Sequence, residues 1–238
     1  MITENIVMRN PFDCGITLAA HPPAATPTTP FEIARNTISG NDVEENGLSG
    51  EGGGVGIFAV PGIGGIVARN VVIHNTLVGN SIPGVVFHSH APGDNLNNNA
   101  IIENDIARNG ADRFDAATPG PTGINLYGAS PIQGTLILKN RIEGEQIDIA
   151  VKTPAFVSMH LNALFGPAIG VDNLGGGSID ATENFWGCRR GPGTAGCTTV
   201  VGPHVTVAPW LSSPFDGSDD AAGHGHHHLD STEALFKF

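Results

Sequence analysis

His88, Tyr127 and Lys152 are side chains able to move protons, and each falls near the end of a short apolar segment: GVVFHSH from Gly84, GINLY from Gly123 and IDIAVK from Ile147. An imidazole or amine takes a proton, a phenol returns one, and a cation or amide neutralises a carboxylate. That combination suits removal of the proton α to the carboxylate of a uronic acid, the step that opens β-elimination or epimerisation. His88 or Lys152 is then the base and Tyr127, the only tyrosine, the acid. Asn125, Asp148, His90 and Arg113 supply substrate contacts. Asp94, Asp148 and Asp172 offer oxygens to Ca²⁺, which can bridge an acidic sugar to an acidic protein. The chemistry requires no cofactor, and Ca²⁺ is an optional addition. Asp148 with Asp172 also permits a glycoside-hydrolase reading, which needs two carboxylates. Every version demands that the three segments lie side by side.

A repeat meets that demand. The unit is Asn, any residue, Ile or Leu, and usually Asn three later: NTISGN from Asn36, NTLVGN from Asn75 and NDIARN from Asn104, then more loosely NRIEGE from Asn140, NALFG from Asn162 and NFWG from Asn184. The starts are 39, 29, 36, 22 and 22 residues apart, so one minimal coil takes 22 residues and the earlier coils carry inserted loops. A strand of four to seven residues follows each unit, as in GITLAAH from Gly15, GIFAV from Gly56 and IGVD from Ile169. Such strands cannot bury an apolar face alone, and no two-residue hairpin turns join them. Parallel stacking solves both problems. Asn suits the turns, because it tolerates left-handed backbone and ladders with its counterpart about 4.8 Å away.

Alternation along each strand sorts the side chains. Ile16 and Leu18, Ile57 and Ala59, Val85 and Phe87, Ile124 and Leu126, Ile147 and Ile149, Ile169 and Val171 point inward. The outward set then places His88 beside Tyr127, Asn125 over Asp148, and Lys152 within reach. Segments 21–32, 42–54 and 110–122 are the inserted loops, and long loops on a rigid scaffold wall binding grooves. Arg113 and Asp115 face such a groove.

The segment IDATENFWGCRRGPG (Ile179 to Gly193), followed by VTVAPWL (Val205 to Leu211), resembles the terminal coil of the pectate-lyase-like superfamily, in its repeat-containing branch of bacterial surface and periplasmic proteins. The resemblance covers most of residues 1–211. It implies an all-β, right-handed, single-stranded parallel β-helix of about six to eight coils, with 212–238 as a disordered or loosely docked polar tail. It further implies a secreted, periplasmic or cell-surface protein whose partner is a polysaccharide. The activity implied is that of a lyase or epimerase on acidic glycans; the alternative is a non-catalytic accessory β-helix that binds glycan or protein along its flat faces.

Composition narrows the classes. With 23 acidic and 11 basic residues the charge is −12, which disfavours a nucleic-acid partner. The same charge repels a polyanionic glycan unless Ca²⁺ or local bases intervene. No run of 18 apolar residues marks a membrane insertion. Oligomeric state has no signature. The chain opens in mid-pattern, which fits a removed leader and cap or a piece of a longer solenoid. Cys188 and Cys197 enclose GCRRGPGTAGC, a loop flexible enough for either a disulfide or two free thiols, and Cys14 reads as a small core residue. The tail histidines, His224, His226, His227 and His228, read as a flexible tail ahead of metal ligands.

Overall fold

A computed structural model describes residues 1–20, 31–59, 64–116, 118–166 and 169–215. The chain is a parallel β-helix. Three parallel sheets of eight, six and seven strands run its length, and a two-stranded sheet lies between two of the early coils. Each coil contributes one strand to each long sheet in turn. One coil, for example, runs Ala100–Ile102 in the first sheet, Asp105–Ala107 in the second and Thr122–Gly128 in the third. Among the described residues six coils are built this way; a seventh gives strands only to the first and third sheets, Ser178–Asp180 and Thr199–Val201, with an isolated Phe185–Ala163 bridge at the second, and Val205–Thr206 begins an eighth. No helix long and apolar enough to cross a membrane occurs among the described residues.

Two-residue alternation makes the core. Strands of the second sheet have three residues, so only the middle one points inward. Val43, Leu77, Ile106, Ile142 and Leu164 therefore pair in register, one above the next, and all are buried. Leu18, Ile57, Phe87, Leu126 and Val151 form the equivalent stack in the third sheet. Each such side chain contributes about 1.5–3 kcal/mol on leaving water. The inward residues expected at 16, 18, 57, 59, 85, 87, 124, 126, 149 and 171 all belong to this cluster. Ile147 and Ile169 lie outside it; Ile149 takes the place assigned to Ile147, and Val151 the place assigned to Ile149.

The corners carry a two-residue device. Between the first and second sheets the chain turns through one left-handed residue, as at Glu4, Gly40, His74, Glu103, Lys139, Leu161 and Glu183, with φ between 51° and 65°. The next residue is in each case an asparagine: Asn5, Asn41, Asn75, Asn104, Asn140, Asn162 and Asn184. The expectation that asparagine itself takes the left-handed conformation is thus corrected. The residue before it does, and Asn is freed to bond along the stack.

Those bonds are uniform. Asn75 Oδ1 accepts from Asn41 N at 3.0 Å and from Asn41 Nδ2 at 2.8 Å. Its own Nδ2 donates to Asn104 Oδ1 at 2.9 Å and to the Ile38 and Ile73 carbonyls at 3.0 Å. A second ladder, Asn10–Asn46–Asn80–Asn109, lines the corner between the second and third sheets. A third, Asn36–Asn70–Asn99, precedes the first sheet. Asn36 was expected to start the series continued by Asn75. It belongs to the third ladder instead, and Asn41 is the true counterpart, 34 residues before Asn75.

The last coil is tied down covalently and by a backbone bond. Cys188 and Cys197 form a disulfide, and Leu211 N donates to Asn184 O at 3.0 Å. Gly191 has φ +81°, and a Cβ there would meet the Trp210 ring at 2.4 Å, so only glycine fits. Cys14 is buried and unbonded to sulfur. Residues 216–238, with the four tail histidines, lie outside the described residues, as do 21–30.

Replacing Asn75 by Ala orphans the buried Asn41 N and Nδ2 donors on one neighbouring coil and removes a donor from Asn104 Oδ1 on the other, and a loss of about 3–5 kcal/mol is expected in denaturant unfolding. Asn5→Ala, at the exposed end of the same ladder, is expected to lose less than about 1 kcal/mol. Equal losses at the two positions would contradict a ladder whose strength comes from burial.

Candidate functional site

The outer face of the third sheet carries the residues singled out for chemistry. His88 pairs with Tyr127, and Tyr127 pairs with Lys152, so the three form one row across consecutive coils. The His88 ring meets the Tyr127 ring edge-on at 6.0 Å, and the Lys152 ammonium lies 5.9 Å from the centre of that ring. Asn125 is not over Asp148. The strand Ile147–Lys152 aligns Ile149 and Val151 with Ile124 and Leu126, so Asn125 faces Ala150 and Asp148 lies level with Gly123.

Although it points away from the core, this face is largely covered. Val86, His88, Asn125, Asp148, Ala150 and Asp172 are all buried. The inserted loop after Asn109 supplies part of the roof. Asp112 Oδ2 lies 2.6 Å from His88 Nε2, and Asp115 Oδ2 lies 3.5 Å from His88 Nδ1. Lys152 Nζ donates to Ala116 O at 2.9 Å. The loop is braced internally: Asp112 N donates to Thr118 Oγ1 at 2.9 Å, and Asp115 N donates to Asp112 Oδ1 at 3.1 Å. Beneath it the His88 ring stacks on Phe58 at 5.1 Å and meets His90 edge-on at 5.4 Å.

Asp112 is the residue that sequence reasoning missed. Burial alone would raise its pKa, but the hydrogen bond and charge of His88, with backbone donors, outweigh that and hold it below the usual carboxylate range. A carboxylate anchored so firmly fixes the imidazole's orientation. No pattern in GADRFDAATPGPT separates Asp112 from Asp115, because loop conformation has no period to read.

The other expected site residues scatter. His90 and Tyr127 are partly exposed, while Arg113 is exposed on the loop. Asn125 is fully buried, and neither end of its amide has a hydrogen-bond partner among the described residues. Asp94 is a structural cap: its carboxylate accepts from Gly65 N at 3.0 Å, Ala91 N at 3.0 Å and Ser89 Oγ at 3.3 Å. Asp148 and Asp172 are offset by two register positions on neighbouring strands. Asp94, Asp148 and Asp172 are therefore not brought together as one set of ligands.

A second acidic centre lies at the corner that leads into the strand Ile147–Lys152. Glu145 occupies the ladder position after Asn109, and its Oε1 accepts from Asn109 N at 2.9 Å and Nδ2 at 3.1 Å. Burial pushes its carboxyl up to about 7 despite those donors. Asp148 is raised well above the carboxylate range by burial first and by the Glu145 charge second, and burial also raises Asp172.

Comparison with protein-family models, with curated proteins and with solved structures returned no match.

Because the folded pKa of Glu145 lies above the unfolded value of 4.5, its contribution to stability is fully present below pH 4.5 and is lost as the pH rises through about 7. Gln keeps the acceptor and removes the ionisation. Glu145→Gln is expected to match the parent near pH 4.5 and to exceed it at pH 8 by up to about 3 kcal/mol in urea unfolding. A variant that is less stable at both pH values would show that the carboxylate is needed.

Proposed function

We propose that this β-helix acts on a polysaccharide, as a lyase or epimerase of uronic-acid glycans in the manner of the pectate-lyase-like superfamily that its terminal segment resembles. The observation that carries the reading is the cross-strand row His88–Tyr127–Lys152. In elimination, the base takes the proton from the carbon α to the carboxylate, a double bond forms to the neighbouring carbon, and the glycosidic oxygen leaves with a proton from Tyr127. In epimerisation the proton is instead returned to the opposite face. His88 or Lys152 serves as base, and whichever does not is free to balance charge beside the carboxylate. Local bases matter here because the chain as a whole is strongly acidic. Ca²⁺ would help in the same sense, by screening both acids. The exported locations typical of such proteins belong to the same proposal.

One observation favours the alternative, a β-helix that binds glycan without turning it over. His88 is 4 % exposed with its Nε2 taken by Asp112, and the Lys152 ammonium is taken by a carbonyl. Catalysis therefore requires the loop around Asp112 to move aside; simple binding along the exposed parts of the face does not.

Acidic and neutral polysaccharides, with and without Ca²⁺, would be followed at about 235 nm for unsaturated uronates and by NMR for inverted uronates. Turnover of an acidic glycan that falls at least about 100-fold in Tyr127→Phe and Lys152→Ala is expected. Saturable binding with no product on any substrate would establish the non-catalytic reading in its place.

A further inference from the structure

The nitrogen side of the His88 environment contains a second pattern. His88, His90 and Asp115 each offer one ligand atom, and these three atoms lie within 4.8 Å of one another. His88 and His90 are two residues apart on a strand and its extension, so they share a face. Asp115 approaches from the loop, whose position is fixed by the Asp115 N–Asp112 Oδ1 bond. With Asp112 against Nε2, the His88 Nδ1 lies 3.5 Å from Asp115 Oδ2, and the His90 ring stands edge-on to the same imidazole. A cation between Nδ1 and the carboxylate, whether a proton or a metal ion, satisfies both, and the second imidazole favours the metal ion.

We propose that His88, His90 and Asp115 bind one divalent first-row transition ion, for which Zn²⁺ is the natural probe, with Asp112 as the outer carboxylate that orients His88. Two imidazoles and one carboxylate suit such an ion, whereas Ca²⁺ takes oxygen ligands. Ligand atoms about 2.0–2.2 Å from one ion lie closer together than the present separations, so binding draws the three side chains inward. The contact from Asp112 to the far nitrogen is the outer-sphere arrangement that fixes tautomer and ring orientation in histidine-ligated sites. Phe58 supplies an apolar wall on one side. The Asp115 side chain is 54 % exposed, so the open side faces solvent and leaves a coordination position for water or a ligand oxygen. This site stands apart from the glycan reading; where both hold, His88 is a ligand and Lys152 is the base.

The tail histidines would bind the same ions, so the test uses the full chain with His224→Asn, His226→Asn, His227→Asn and His228→Asn. Co²⁺ titration of that chain, followed by its visible absorption and by calorimetry, is expected to show a single site from which Zn²⁺ displaces Co²⁺. In the same background Asp115→Asn and His90→Ala should each weaken binding by about 100-fold or more, and Asp112→Asn by about 10–100-fold. His160→Asn, on a distant coil, should change nothing. Circular dichroism keeps the variants comparable, and the exposed position of Asp115 makes that substitution the decisive one. The proposal is overturned if the tail-substituted chain binds neither Co²⁺ nor Zn²⁺ saturably, or if folded Asp115→Asn binds as tightly as its parent. Neither readout involves a sugar, so failure here and failure of the glycan assay are separate results.

Discussion

The buried amide ladder is the constraint on which the rest of the molecule depends. A parallel coil turns sharply between sheets, and each turn leaves backbone groups inside that no strand can satisfy. Asn meets the need with one acceptor and a two-hydrogen donor, so one side chain serves its own corner and the corners above and below. Each amide is useful only because the next coil places another at the same height. The ladder therefore enforces registry between coils, and registry aligns the apolar side chains beneath it. Left-handed conformations at charged residues, each unfavourable by about 1–2 kcal/mol, persist because this network over-determines them.

The outside of the same corners is used differently. The left-handed residues stack as the asparagines do, and several pair by charge: His74 with Glu103, Lys139 with Glu103 at 3.5 Å, and Arg9 with Glu45 at 2.8 Å. Such exposed pairs add little energy, about 0–1 kcal/mol each. Their position shows where the solenoid meets water, whereas the third sheet is the face where polar groups have been drawn under cover. His88, Asn125 and Asp148 point away from the apolar core and are nevertheless buried. Chemistry on a solenoid needs that combination, since a flat wet strand perturbs nothing.

The fold was legible because its period is written in residue types. Six Asn units and the short apolar strands suffice to infer stacked parallel coils. The first unit was misaligned for a physical reason: Asn36-Thr37-Ile38 and Asn41-Asp42-Val43 both read as Asn followed by a strand, and both are ladder positions, in different ladders. The row His88–Tyr127–Lys152 was legible because each directly follows an apolar strand residue, Phe87, Leu126 and Val151. Asp148 was misplaced because Ile147, Ile149 and Val151 are all apolar, so two alignments of that strand satisfy the pattern equally. Asp112 was not legible at all, since the loop that delivers it follows no repeat.

The spacing of the corner device has a further consequence. From Ile38 to Val43, Val72 to Leu77, Ile101 to Ile106 and Ile137 to Ile142, five positions separate one core stack from the next, whatever the length of the coil. Variation in coil length is confined to the stretches on either side of the third sheet, where the loop bearing Asp112 and Asp115 enters. The molecule is thus divided into an edge whose geometry is closed to insertion and an edge that accepts loops of unequal length. New surface can be grafted onto the second edge, coil by coil, while the scaffold beneath keeps its alignment.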